Sequence, residues 1–409
     1  MARILIIGGG AAGYFAAANL DVSDDVTVQI LEKSNKVLSK VKVSGGGRCN
    51  VTHACFEPKE LVKFYPRGSK ELIGPFTRFQ PGDVFGWFED RGVALKTEDD
   101  NRVFPTTDSS QTIIDCLELA VAKKKTRISL QSGITSISTR DEKWFVEVDG
   151  KEEIVADAVL VSGGSSPQMW DILSKLGLQM VPQVPSLFTF NIKDKRIDGL
   201  AGLSSTFAHV SIENSKFDSY GPMLITHWGL SGPGILKLSA WAARELHDWD
   251  YKFKIKVNWL ANEDFDSVMS IMKGLRERQP KKAVFSFSPF EIPLRLWISL
   301  CPESITDQMK WADINNKALE HIANNLTRGL FEVNGKSTFK DEFVTCGGVD
   351  LTEINFKSME AKRFPGLFFA GEVLNIDAVT GGFNFQAAWT TSWIAAKSIS
   401  EKLHSQKSF

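Results

Sequence analysis

The chain opens on an uninterrupted apolar run, Ile4-Leu-Ile-Ile7, directly after Arg3. A run without alternation predicts a strand buried on both faces in a parallel sheet. It breaks at Gly8-Gly-Gly-Ala-Ala-Gly13, and the small residues through Asn19 predict a tightly packed helix. Val26-Thr-Val-Gln-Ile-Leu31 predicts the second strand, so the chain starts with a βαβ unit. Apolar spacing then predicts a helix over 113–124 and short strands at 128–130, 134–137 and 144–148, with Asp149-Gly150 turning into Ile154-Val155. Ala158-Val-Leu-Val161 is another buried strand, ended by Gly163-Gly164. The helix from about Met169 to Leu176 is predicted to stop at Gly177.

From about Ser186 the texture changes. Short alternating strands (207–212, 251–257) give way to helical stretches rich in Lys, Arg, Met and Trp, punctuated by Pro280, Pro289, Pro293 and Pro302. Parallel-sheet character returns at Gly366–Gly371, followed by a last helix over 384–403. The expected partition is an α/β domain made of 1–188 and 344–409. Its insert has a β-rich, barrel-like part (189–262 with about 329–343) and a helical subdomain (263–328).

Length and composition narrow the classes. At 409 residues, about two to three domains are expected. The 48 basic and 49 acidic residues leave a net charge of −1, so a whole-protein field steering toward nucleic acid is not indicated, while a local basic patch remains open. The basic runs Lys123–Lys125, Arg276/Arg278 and Lys281-Lys282 read as solvated surface, and an RNA contact would fall on the last two. Five cysteines without a Cys-x-x-Cys exclude a disulfide framework and give no metal-site spacing. No run approaches the ~18 apolar residues of a membrane span, and the first apolar run is too short for a signal peptide, so a cytoplasmic location is expected.

Gly8-x-Gly10-x-x-Gly13 lies between a predicted strand and a predicted helix. In such a turn one glycine permits the bend, one lets the backbone approach a pyrophosphate, and one allows close helix–strand packing. The helix start, here Ala11-Ala12, offers unpaired N–H groups to the phosphates. Glu32 ends the second strand, about 20 residues past Gly13, where a carboxylate accepts bonds from ribose hydroxyls. No second strand–glycine–helix unit provides a nicotinamide domain. The Gly163-Gly164 segment reads as a later strand returning to the same cofactor, so FAD is expected.

Ser44-Gly-Gly-Gly-Arg-Cys-Asn50 adds backbone donors at Gly45, Gly46 and Gly47 and polar groups at Arg48 and Asn50. Cys49 is expected to line the site and Cys55 to be incidental; the sharper alternative is a redox dithiol beside the flavin. Near the C-terminus, Gly371-Glu372 ends a strand and Thr380-Gly-Gly382-Phe383-Asn384 opens a helix. That helix start would stabilise negative charge on a reduced flavin. In Thr226-His-Trp-Gly-Leu-Ser-Gly-Pro233, Ser231 before Gly232-Pro233 signals a helix start, and His227 is a candidate proton carrier.

Together these segments resemble a bacterial family, the NAD(P)/FAD-dependent oxidoreductases of the BaiN/RdsA type, which includes aminoacetone oxidase. The resemblance is strongest in 6–13, 44–52, 226–236 and 344–396, above all in Gly347-Gly-Val-Asp-Leu-Thr-Glu-Ile-Asn355. It implies a glutathione-reductase-like Rossmann domain interrupted by a small β-barrel and a helical part. It also implies flavin contacts from Glu32, Lys33, the Gly45–Asn50 loop, the Ile134 backbone, Gly371-Glu372 and Phe383-Asn384. Asn375 and Ala378 stand where the family pattern has Asp and Gly, and Cys346 where it has Ala. Members of the family differ in chemistry (amine-ketone oxidation, steroid C=C reduction, uridine reduction in ribosomal RNA) and share hydride transfer at flavin N5.

The expected function is therefore FAD-dependent hydride transfer with NAD(P)H as the electron source. The substrate is a ribosomal RNA uridine or, alternatively, a small metabolite, in a pocket between the FAD domain and the insert. His227, Arg48 and Asn384 are the candidate lining residues. A reading of another class is a non-catalytic flavin sensor that binds a protein partner.

Overall fold

The computed structural model describes residues 2–150, 153–337 and 344–405. The chain divides into two compact units, Met1–Val184 with Lys340–Phe409, and Pro185–Phe339. The return boundary expected near residue 343 lies outside the described residues, as do residues 151 and 152 after the Asp149-Gly150 turn.

The first unit is organised by a seven-stranded sheet. β1 (Ala2–Ile7) pairs in parallel with β2 (Val26–Leu31) on one side and with Ala158–Val161 on the other, which in turn pairs in parallel with Leu367–Phe369. Arg127–Ser129 extends the sheet beyond β2, and two short antiparallel strands, Ile354–Asn355 and Glu360–Ala361, extend the opposite edge. Ile4, Leu5 and Ile6 are fully buried, as a strand without alternation must be. The helix α1 (Ala11–Asn19) is buried at seven of its nine residues, so it lies inside the unit, against the final helix Phe383–Ser405. A three-stranded antiparallel sheet (Ile134–Arg140, Lys143–Val148, Ile154–Ala156) packs on β1 and Ala158–Val161.

The helix ends follow local chemistry. Pro167–Lys175 stops before Gly177 at φ +100°, and the Leu178 N–H reaches back to the Leu173 carbonyl (3.1 Å). Two helices, Ser69–Arg78 and Pro81–Glu89, lie where the apolar pattern predicts none. The first carries Gly74 and Pro75, which blur its periodicity. The second is set by Pro81 at its first position and by Asp83, whose carboxylate accepts the Gln80 N–H (2.7 Å).

In the second unit the strands form a seven-stranded antiparallel sheet. Gly329–Asn334 is at one edge and Lys336–Ser337 at the other, yet only Gly335 separates them. A flat sheet of seven strands would hold its edges roughly 29 Å apart at about 4.8 Å per strand. Residues two apart reach at most about 7 Å, so the sheet closes on itself as a barrel. One hydrophobic core joins its inward side chains, including Val210, Ile255 and Phe331, to the helices Phe265–Arg278, Leu294–Leu300 and Asn316–Arg328. The helix after the Thr226–Pro233 motif corrects one expectation. Ser231 ends a strand and its hydroxyl accepts a bond from Thr189 (2.8 Å), while Gly232, at φ +92°, occupies the cap before Pro233–Trp241. The nearly closed packing there, with a glycine carbon 2.9 Å from the Leu224 nitrogen if a Cβ were added, leaves no room for a capping side chain.

One buried ion pair fixes the loop between Glu372 and Thr380. Arg67 grips Asp377 through both oxygens, with Nε to Oδ1 at 2.5 Å, and Asp377 is fully buried. Removing the guanidinium leaves a buried carboxylate without its bidentate partner, so Arg67→Met is expected to cost about 3–5 kcal/mol. Urea unfolding of the purified variant measures this, and a loss below about 1 kcal/mol would contradict it.

Candidate functional site

The N-terminal glycines divide by what surrounds them. A Cβ on Gly13 would stand 2.0 Å from the Gly8 carbonyl oxygen, so this glycine exists for close packing of α1 on β1. At Gly10 the same atom would meet nothing within 4 Å. The backbone at Gly10 therefore borders open space at the start of α1, where unpaired N–H groups and the helix dipole favour a phosphate. Glu32 is held against this turn: its Oε2 accepts from the Gly9 N–H (2.7 Å) and its Oε1 from the Ser34 N–H (2.8 Å). Each oxygen keeps a second acceptor site for a hydroxyl. On the neighbouring strand end the Ser162 hydroxyl donates to the Ile7 carbonyl (3.0 Å), which sets Gly163 beside Gly8.

Gly45, Gly46 and Gly47 take φ values of +57°, +68° and +86° in succession, a path only glycine follows without strain. Added Cβ atoms at Gly46 and Gly47 would again meet nothing within 4 Å, so this loop also presents bare backbone to open space. The loop is sewn to the C-terminal helix. With its amide oxygen toward the Gly382 N–H (3.0 Å), Asn50 donates to the Thr52 (3.0 Å) and Val103 (3.3 Å) carbonyls. Thr52 Oγ1 donates to Gln386 Oε1 (2.5 Å), Trp389 Nε1 to the Val51 carbonyl (2.9 Å), and the Tyr65 hydroxyl to the Phe383 carbonyl (2.6 Å). The second and third glycine motifs, more than 300 residues apart in sequence, thus form one structure.

Gly371 brings the C-terminal strand end to the first motif, since its Cβ would lie 3.0 Å from the Ala12 Cβ. Glu372 follows, ion-paired with Lys40 (2.5 Å), and Lys33 Nζ reaches the Ser166 hydroxyl (3.3 Å). Lys40 was invisible as a site residue in the sequence, because only the fold brings it to Glu372; its place in a Lys-rich run before the Gly triplet was the one hint. His53 was also missed. Its ring stacks on Phe383 (4.4 Å between centroids), which stacks on Phe64 (4.3 Å). Burial holds His53 below the usual imidazole value, against the opposing pull of Asp100.

Other singled-out residues sit as follows. Arg48 is engaged by Glu98 (2.5 Å) and Asp108 (3.4 Å), and its guanidinium lies over the Phe104 ring at 3.9 Å. Asn384 closes on its own loop, accepting from the Ala378 N–H (3.0 Å) and donating to the Ala378 carbonyl (3.2 Å). Ala378 thus occupies a buried position held by Asn384, and the Oδ1 of Asn375 is buried with no hydrogen-bond partner among the described residues. The Ile134 carbonyl accepts from Gln168 (3.1 Å). His227 is exposed in the turn between Asp218–Ile225 and Gly229–Ser231 of the second unit. Cys346 is buried in Thr345–Val349. Cys49, at φ +61°, is fully buried, and burial pushes its thiol up to about 12 although the Ser44 hydroxyl pulls the other way. Cys55 is likewise raised by burial and both are free thiols, so neither is a thiolate near neutral pH. Among the described residues no cluster of His, Cys, Asp or Glu is arranged to hold a metal, and no helix is long and apolar enough to cross a membrane.

A parallel sheet with a bare-backbone turn at its carboxyl end, a glycine loop beside it and a returning C-terminal strand and helix define a Rossmann-type dinucleotide-binding protein. The chain belongs to the HI0933-like protein Rossmann domain family, matched over residues 2–398, and with it to the FAD-dependent oxidoreductases. It is 27% identical over 404 residues to a ribosomal RNA dihydrouridine synthase of Escherichia coli strain K12, covering 97% of both chains. It is 23% identical over 413 residues to a 3-dehydro-bile acid delta(4,6)-reductase of Clostridium scindens, covering 98% of this chain and all of the relative. Among solved structures, the 3-ketosteroid-delta4-(5alpha)-dehydrogenase of Rhodococcus jostii RHA1 shares the fold with a TM-score of 0.50 at 12% identity, covering 98% of this chain and 97% of that one.

The two kinds of glycine give opposite expectations. Gly10→Val has space for its side chain, so the variant is expected to fold with near-unchanged thermal stability but to purify without bound flavin. Gly13→Val meets backbone and is expected to lose about 3 kcal/mol or more. Flavin absorbance per chain and thermal melts read both, and a yellow Gly10→Val protein would be inconsistent with cofactor seating at this turn. For the thiols, iodoacetamide at pH 7.5 on the native protein is expected to leave Cys49 unmodified in peptide mass maps, whereas denaturation exposes it.

Proposed function

We propose that the protein is an FAD-dependent reductase of a carbon–carbon double bond conjugated to a carbonyl, with a uridine of ribosomal RNA as the substrate. The observation that carries the FAD part of this reading is that Gly371 packs on Ala12 and Gly382 on Asn50 and Thr52, which ties the open backbone at Gly10 and at Gly46-Gly47 to one C-terminal segment. The relatives support the reaction type: one is named for making dihydrouridine, the other for reducing a bile acid, and both names describe reduction of an unsaturated substrate.

The residues of this chain fit the cofactor. Gly10 and the start of α1 would take the pyrophosphate, Glu32 the ribose hydroxyls, and Lys33 and Lys40 the phosphate charge. Gly46, Gly47 and the first turn of Phe383–Ser405 would border the isoalloxazine edge. When bound, FAD supplies hydride transfer at N5, with NAD(P)H as the source of reducing equivalents. The N–H groups at the start of a 23-residue helix favour negative charge placed before them, and Asn50 and Gln386 hold that helix start in position.

Reduction of a small unsaturated metabolite is the second reading, and the bile acid reductase relative favours it. Nucleoside mass spectrometry of ribosomal RNA from cells with and without the gene separates the two. Loss of dihydrouridine on deletion, restored by the wild-type gene and not by Gly10→Val, is the expected result. An unchanged nucleoside profile, with rapid flavin bleaching by NADH or NADPH in stopped flow, would replace the RNA reading with the metabolite one. Flavin that neither nicotinamide reduces would sink both.

A further inference from the structure

The parallel sheet carries polar side chains where a fully covered sheet would carry apolar ones. Gln29 pairs with Leu5 and Arg127, and Leu31 with Ile7 and Ser129, so strand alternation places Arg3, Gln29, Leu31, Arg127 and Ser129 on one face. That face and the three-stranded sheet, through Val148 and Ile154, line a cleft of about 740 Å³. The volume falls in the range of about 300–1,000 Å³ typical of small-molecule sites.

The electrostatics of the cleft are unbalanced. The Arg127 side chain makes no hydrogen bond or ion pair with any described residue. Among the described residues the Arg3 guanidinium has one bond, from Nη1 to the Val155 carbonyl (3.4 Å). The carboxylate next to this strand end, Asp157, accepts the Arg3 backbone N–H (2.7 Å) and is paired with the Lys143 ammonium, so it does not neutralise either guanidinium. Gln29 donates to the Ser129 hydroxyl (2.9 Å), which leaves its amide oxygen available to a donor. Leu31 and Val148 are buried and supply an apolar wall.

We propose that this cleft binds a nucleoside monophosphate, its phosphate held by Arg3 and Arg127 and its base laid against Val148 and Ile154. Guanidinium groups recognise phosphate oxygens in pairs of charge-assisted hydrogen bonds, and a polar amide beside an apolar wall suits a heteroaromatic ring. The site is separate from the cofactor cradle. Arg127 opens its strand and Arg3 is the second residue of β1, whereas the glycine turns lie past the carboxyl ends of the strands.

Calorimetric titration of the full-length, FAD-saturated protein with AMP and UMP tests this. One site per chain is expected for at least one of the two, with the matching nucleoside at least tenfold weaker. Arg127→Gln changes an exposed side chain and is expected to weaken the nucleotide about 10- to 100-fold, in line with loss of hydrogen bonds to a charged group, with flavin content and melting temperature unchanged. The proposal is overturned if neither nucleotide binds the FAD-saturated protein, or if Arg127→Gln binds as the wild type does. Inorganic phosphate binding as tightly as the nucleotide would also overturn it, because the apolar wall would then contribute nothing.

Discussion

The hydrogen bond from the Gly382 N–H to the Asn50 side chain is the constraint on which the rest of the site depends. A Cβ at Gly382 would stand 2.4 Å from the Thr52 carbonyl, so the helix start and the glycine loop touch backbone to backbone. Around that contact, Thr52–Gln386, Val51–Trp389 and Tyr65–Phe383 make a buried seam between chain segments more than 300 residues apart. Buried polar groups are costly unless paired, and each of these is paired across the seam. The loop and the helix are therefore ordered together.

The seam also explains why the flanking loop is so heavily fastened. Asp377 is buried and Arg67 meets both of its oxygens, and Asn384 clamps Ala378 nearby. The stretch from Glu372 to Gly382 has little regular structure of its own beyond a single short turn at 371–373. Side-chain bonds take over the role that a strand or helix ladder has elsewhere. Backbone held this way presents donors to a ligand in fixed directions, the condition for electrostatic stabilisation without reorganisation.

Electrostatics inside the first unit are arranged by burial more than by charge count. The two thiols that sit near the glycine loop are kept protonated by desolvation, and His53 is kept neutral by the same cause. Lys33 and Lys40 are tied to Ser166 and Glu372, residues that follow the carboxyl ends of two of the parallel strands. Net charge near zero thus conceals a local separation of roles that composition does not reveal.

The parallel strands, the first turn and the last helix were legible in the sequence because their signals are local. An apolar run without alternation, glycines at fixed offsets and a carboxylate at a strand end each encode a backbone path within a few residues. Helices 69–78 and 81–89 were not legible, since glycine and proline interrupt their periodicity and a cap rather than an apolar stripe defines the second. Which groups meet was decided by tertiary structure alone. Asn50 with Gly382, Lys40 with Glu372 and Arg67 with Asp377 are contacts across hundreds of residues, and no local pattern specifies them. The one-residue link that closes the barrel is of the same kind: Gly335 is visible in the sequence, but its two strands reach opposite edges only because the sheet twists and curls.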